Sequence, residues 1–122
     1  MSDLLKRTAI LEAKDLPFED VDVPEWGGTV RIAGMTGEAA TAFSDEMVEM
    51  DSRGQVKSVK MENFMAKMLA MTIVDDDFKA VFSKEDIEAL GKKSAAVLKR
   101  LSEVAMRLSG LGEGSIEGAQ KN

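Results

Sequence analysis

The stretch VDVPEWGGTVRIAGMT, Val21 to Thr36, decides the fold. Val21 and Val23 flank Asp22, and Val30 and Ile32 alternate with Thr29, Arg31 and Ala33, giving two period-2 runs rich in β-branched residues. Between them PEWGG supplies a turn: Pro24 fixes φ, and Gly27 and Gly28 accept positive φ. The spacing predicts an antiparallel hairpin over about 18–34 with its loop at 24–28. A two-stranded hairpin alone is marginal in water, so its valine face must pack on helices. The turn also holds the chain's only Trp. Trp26 has two readings: a lid on the core beside the hairpin, or an exposed anchor at a subunit contact, since Trp is enriched in binding hot spots.

Outward from the hairpin the periodicity turns helical. On the N-terminal side, residues 2–13 read as a short amphipathic helix capped by Ser2 or Asp3, with Leu4, Leu5, Ala9 and Leu11 on a broad face, ended by Pro17. On the other side Thr36 is a good N-cap, and Ala40, Phe43, Met47 and Met50 recur at helical spacing until the loop at Gly54. KMENFMAKMLAMTIVDD is the most apolar segment. Met61, Phe64, Met65, Met68, Leu69, Met71 and Ile73 cover most of a helix circumference, as in a central helix or one that shows a face to a partner. DDDFKAVFS interrupts it, with Phe78, Val81 and Phe82 expected against the core. Ser83 caps SKEDIEALG with Asp86 in the capping-box position, and Gly91 suits C′. A last helix follows, with Val97, Leu98, Leu101, Val104, Ala105 and Leu108 on one stripe and Lys99, Arg100, Glu103 and Arg107 mostly off it. The expected fold class is α+β and predominantly helical, a small N-terminal β-hairpin packed on a bundle of about four or five helices. One domain spans 1–109, and a flexible Gly-rich tail spans 110–122.

Composition narrows the chemistry. The 122 residues suit one domain and carry a net charge of −6, with no Cys, no His and no Tyr. The usual neutral-pH acid–base residue is missing, as are the thiol nucleophile and the commonest zinc ligand. An acidic chain without a basic cluster is disfavoured as a nucleic-acid binder. No apolar run approaches the ~20 residues of a membrane span, and the N-terminus lacks the apolar core of a signal peptide, so the cytoplasm is the expected location.

Local motifs stay modest. Asp75–Asp77 invites a calcium reading, but no Gly stands at the sixth position and Glu85 misses the twelfth, so a solvated acidic turn is favoured. Asp45, Glu46 and Glu49 lack any sign of a cleft and read as a solvated helix face. GLGEGS, from Gly110, follows a helix rather than a strand and lacks the Lys-Ser/Thr of a phosphate loop. The chain therefore gives no candidate catalytic residue, metal ligand or cofactor site. The nine Met are the outstanding feature. On any one helix such a stripe faces inward, but nine beside a single Trp tilt the reading toward an adaptable apolar surface.

VPEWGGTVRIAGMTGEAATAF (23–43), LAMTIVDDDFKAVFSKEDIEALGKKSAAVLKRLSEVAMRLSGLGE (69–113) and the terminal KN together resemble the tail assembly chaperones of long-tailed bacteriophages and prophages. PEWGGTVR and LGKKSAAVLKRL are the most specific parts; the Met-heavy middle departs from the pattern, which favours Leu and Val. The resemblance implies a non-enzymatic assembly factor in the host bacterial cytoplasm. It implies binding to the tape measure protein, whose apolar helices are kept soluble, and absence from the mature virion. It further implies a longer frameshifted form whose extension recruits the tail tube protein, with this chain as the short form and its tail as the linker. Neither nucleic acid nor membrane is an expected partner, and self-association stays open. Expected contact residues are Trp26, Met61, Phe64, Met65, Met68 and Met71. The rival reading is a structural virion component, such as a head–tail connector or tail subunit.

Overall fold

The computed structural model describes residues 4–59 and 63–111. Its frame is the expected hairpin: β1 (Phe18–Val23) pairs antiparallel with β2 (Gly28–Ala33), placing Val21 opposite Val30 and Val23 opposite Gly28. The loop is a 3₁₀ turn, Pro24–Trp26, with Pro in its first turn, closed by Gly27 at φ +78°, a backbone state that residues with a Cβ rarely adopt. Val23 and Ile32 are fully buried, so the valine face does pack inward.

The helices largely follow the expected order. α1 (Arg7–Glu12) is shorter than the expected residues 2–13, and none of its residues is buried. α2 (Gly37–Met47) starts at Thr36, whose Oγ1 accepts the Ala39 N–H at 3.0 Å. α3 (Phe64–Thr72) is the central apolar helix. A 3₁₀ turn (Lys84–Asp86) leads into α4 (Ile87–Leu90), and α5 (Ala95–Leu108) is the longest element. The class is α+β, as expected.

Two expectations about helix ends are corrected. The helix through Met50 stops at Met47, because β3 (Val48–Met50) pairs with β4 (Val56–Val59) in a second hairpin. Its turn is made by Asp51, whose Oδ1 accepts the N–H groups of Arg53 and Gln55, with Gly54 at φ +80°. A turn motif read only as a helix stop thus closes a strand pair. Likewise the apolar run through Ile73 leaves the helix at Thr72, whose buried hydroxyl bonds back to the Met68 carbonyl at 2.9 Å. The β-branched pair Ile73–Val74 becomes β5, antiparallel to β2, so β2 is the centre of a three-stranded sheet. A short apolar run fits either period, and tertiary pairing settles it.

The core lies between α3, α5 and the inner sheet face, around Ile32, Met68, Leu69 and Leu101. α5 buries Val97, Leu98, Leu101, Ser102 and Ala105. Its polar face still works: Arg100 makes a bidentate pair with Glu25 (3.1 Å to each oxygen) and Arg107 reaches Glu19 at 2.8 Å, tying hairpin to helix. The end of α5 closes with Gly110 at φ +78° and the Leu111 N–H on the Met106 carbonyl at 2.7 Å. This end seats on the strand exit. The Met35 N–H donates to Ser109 Oγ at 2.9 Å, and a Cβ on Gly34 would stand 2.5 Å from the Leu108 carbonyl oxygen. The Gly-rich tail lies outside the described residues from 112 onward.

Candidate functional site

The segment after β5 borders two concave surfaces among the described residues. Asp75 closes a tight turn, its Oδ1 accepting the N–H groups of Asp77 (2.8 Å) and Lys79 (3.0 Å). The Lys79 N–H is the largest influence holding the Asp75 carboxyl below its ordinary range. The three carboxylates of Asp75–Asp77 are exposed, and the first of them is spent on its own backbone. The chain then runs back along β5 through Ala80, and the Val81 N–H reaches the Ile73 carbonyl at 3.2 Å. At Ser83 it turns again, with the Ser83 N–H on Asp86 Oδ2 at 2.9 Å, as the capping box requires.

Phe82 is held between these two constraints, half-buried against the core. It divides two shallow clefts. One, of about 180 Å³, lies between Trp26 and the Ala89–Leu90 side of α4, with Asp86 and Lys93 at its margin. The other, of about 320 Å³, lies between Met71 and Ala70 of α3 and Ile87 of α4. Its margin carries Lys67 and the ion pair of exposed Lys84 with half-buried Glu46 at 3.2 Å. Charges of both signs ring apolar floors, an arrangement suited to apolar side chains rather than to a charged ligand.

The expected contact residues divide. Trp26 and Met71 are half-buried, and each lines one of the two clefts. The ring of Trp26 packs on the core and also walls the smaller cleft. Phe64 and Met65 are partly buried against the core, with Phe64 edge-on to Phe43 at 5.5 Å. Met68, 1% exposed, is a core residue with no surface to offer, because it faces α3's buried side. Met61 lies outside the described residues. Of Asp45, Glu46 and Glu49, Glu46 is taken up by Lys84.

Phe82 is the residue the sequence reading placed but undervalued. A signal was present: F-S-K-E-D-I puts Phe82 at N′ and Ile87 at N4 around a capping box, the positions of a hydrophobic staple, and both residues line the larger cleft. Phe78 and Val81 are corrected from core to surface, 49% and 51% exposed. The turn held by Asp75 puts Phe78 at φ +62°, directing its ring outside the core onto Phe18, 5.1 Å between centroids.

Comparison with known proteins gives the family. The model of the phage tail assembly chaperone family matches residues 5–122, and the chain belongs to that family. In fold it is similar to the bacteriophage HK97 tail assembly chaperone, at 23% identity and a TM-score of 0.57, over 83% of this chain and 90% of that one. No curated protein matches the sequence. The family is one of assembly chaperones rather than an enzyme class. No described helix is long and apolar enough to cross a membrane.

Proposed function

We propose that the protein binds apolar helical segments of a tape measure protein during phage tail assembly and releases them as the tail tube forms. The paired clefts on either side of Phe82 carry this reading. Apolar surface left in water costs about 25 cal/mol per Å². A client helix laying successive side chains beside Trp26 and Met71 would remove such surface on both partners. Met71 and the clefts' small residues, Ala70 and Ala89, fit clients of varied sequence, because a thioether repacks without a fixed shape. Many copies along one long client add avidity, so each contact can be weak and reversible. Competition from polymerising tube subunits then suffices for release, with no bond made or broken, in the host cytoplasm. On this reading residues 110–122 link the body to the extension of any longer form.

The test is co-expression of the tape measure protein with the chain carrying Met71→Glu and Ala89→Glu, one charge in each cleft. Circular dichroism first establishes that the fold survives. The expected result is loss of soluble, co-purifying client; undiminished client recovery would overturn the assignment of the clefts. Mass spectrometry of purified particles checks the transient role, and stoichiometric retention in the virion would defeat it in favour of a structural component.

A further inference from the structure

The two edges of the three-stranded sheet are finished differently. On the β5 side the chain turns at Asp75 and comes back to pair, with the Asp75 N–H on the Lys79 carbonyl at 2.9 Å and the Val81 N–H on the Ile73 carbonyl at 3.2 Å. On the other side β1 is the edge, six residues long, without proline and in unbroken register with β2. That register shows which backbone groups are spent. The Gly34 N–H bonds the Pro17 carbonyl at 2.9 Å, so this pair is a hydrogen-bonded one. Bonded and unbonded pairs alternate along an antiparallel ladder. The bonded pairs are therefore Glu19–Ile32, Val21–Val30 and Val23–Gly28, and the N–H and C=O groups of Phe18, Asp20 and Asp22 point away from β2. No backbone hydrogen bond among the described residues takes up these outward groups, and all three residues are exposed.

Such a row of free groups is a template for a further strand, which proteins blunt with lysines, proline, bulges or a covering element. Here charge alone guards the edge, and its sign is negative: β1 carries Glu19, Asp20 and Asp22 and no basic residue. Arg107 engages Glu19 and Arg31 engages Asp20, whereas Asp22 has only the Thr29 hydroxyl, at 2.9 Å, among the described residues. Like charges directly opposite each other destabilise a strand pair. The edge therefore repels an acidic strand, β1 of another copy included, and admits a basic one. The side chains add a pattern. On the outer face Phe18 lies edge-on to Phe78, 5.1 Å between centroids, with Asp20 and Asp22 next in line. On the inner face Val21 is half-buried against the core. An antiparallel strand would set cations opposite Asp22 and Asp20, an apolar residue between them opposite Val21, and an aromatic residue opposite Phe18.

We propose that the β1 edge captures an extended basic segment of a partner protein as an added strand, in the order cation, apolar, cation, with an aromatic residue two positions on. Backbone bonds to Phe18, Asp20 and Asp22 supply the affinity, and the two aspartates with Phe18 supply the choice of sequence. The edge shares no residue with the clefts on either side of Phe82 and stands or falls independently of them.

Amide hydrogen exchange read by NMR on the full chain tests it. The probes are two end-capped peptides of one composition, lysine and valine ending in phenylalanine, alternating in one and segregated into blocks in the other. Without peptide, the Asp20 and Asp22 amides are expected to exchange freely while Val21 and Val23 are protected. The alternating peptide should slow exchange at Asp20 and Asp22 by about tenfold or more. An alternating peptide that fails to bind, binds no better than the segregated one, or binds without protecting those amides would overturn the proposal. So would equal binding of a peptide with glutamate in place of lysine. Asp22→Asn is expected to weaken binding about two- to fivefold, the worth of an exposed charge pair. Asp22→Pro removes one outward N–H and no ladder bond, and should abolish binding with the fold kept; undiminished affinity would overturn the added strand. Should the proline variant misfold by circular dichroism, methylating the peptide's own edge-facing amides puts the same question to the unaltered chain. Binding is then expected to vanish with every charge in place, and its survival would overturn the proposal.

Discussion

α1 and α5 are both apolar-striped helices in the sequence, and they end in opposite circumstances. α5, 14 residues long and started by Ser94, whose Oγ accepts the Val97 N–H, buries its stripe against α3 and the sheet. α1, six residues with no side-chain cap bond, buries none of its residues. The difference lies in what each stripe can reach. Short helices are marginal without tertiary packing, and Pro17 and the extended backbone at Ala13 hold α1 outside the region where α3 and β2 already fill the core. Amphipathicity states that a helix needs a partner surface; it leaves open whether that surface belongs to the same chain.

The sharpest way to break the comparison is one truncation on each helix. Leu101→Ala removes a fully buried side chain of α5 and is expected to destabilise the fold by about 2–5 kcal/mol. Leu11→Ala on α1 should leave the unfolding midpoint within about 0.5 kcal/mol of the original when measured on monomer. Equal losses in urea titrations would show that α1 packs on the body after all. Next in size is Gly34→Ala. Its Cβ would meet the Leu108 carbonyl oxygen at 2.5 Å, and a backbone atom yields less readily than a side-chain end. The expected loss is about 1–3 kcal/mol. An unchanged urea midpoint would show that the end of α5 is not seated on the strand exit.

A smaller effect of opposite sign is expected at Ser102, whose buried hydroxyl has no hydrogen-bond partner among the described residues. Ser102→Ala relieves that desolvated group and raises stability by about 1 kcal/mol, read as a higher unfolding midpoint. A lower midpoint would mean that the hydroxyl is satisfied. Smallest is the pH dependence of the exposed ion pairs. Hydrogen bonds from Arg31 and Arg100 hold Asp20 and Glu25 below the ordinary carboxylate range. Native pKa values below the unfolded ones mean that the contribution is full above about pH 5 and fades as pH falls through the lowered values. Glu25→Gln should flatten part of the acid limb of a stability–pH curve while changing little at neutral pH, because exposed pairs are screened. An acid limb identical to that of the unaltered chain would remove the Arg100 pair from the account.

Much of the fold was legible because its signals are local. The period-2 runs around PEWGG, the Thr36 and Ser83 caps and the α5 stripe each rest on geometry within a few residues, and each element forms there. The second hairpin was missed because VEM and VKSV are too short to announce a period, and the pairing of Val48 with Val59 crosses a turn. Of the site, Trp26 and Met71 were legible as unusual residues, and Phe82 was legible only as a staple. That Met68 is sealed while Met71 lines a cleft follows from which side of α3 meets α5, a fact about packing.

Sequence alone therefore determined the class of element at most positions, the absence of His, Cys and Tyr chemistry, and the resemblance that family membership bears out. Those properties depend on residue type and on neighbours a few positions away. Only the tertiary structure decided that Ile73 joins a sheet, that Phe82 parts two clefts and that the apolar arm stays uncovered. Burial is a property of surfaces brought together from distant parts of the chain, and no local spacing specifies which surfaces meet.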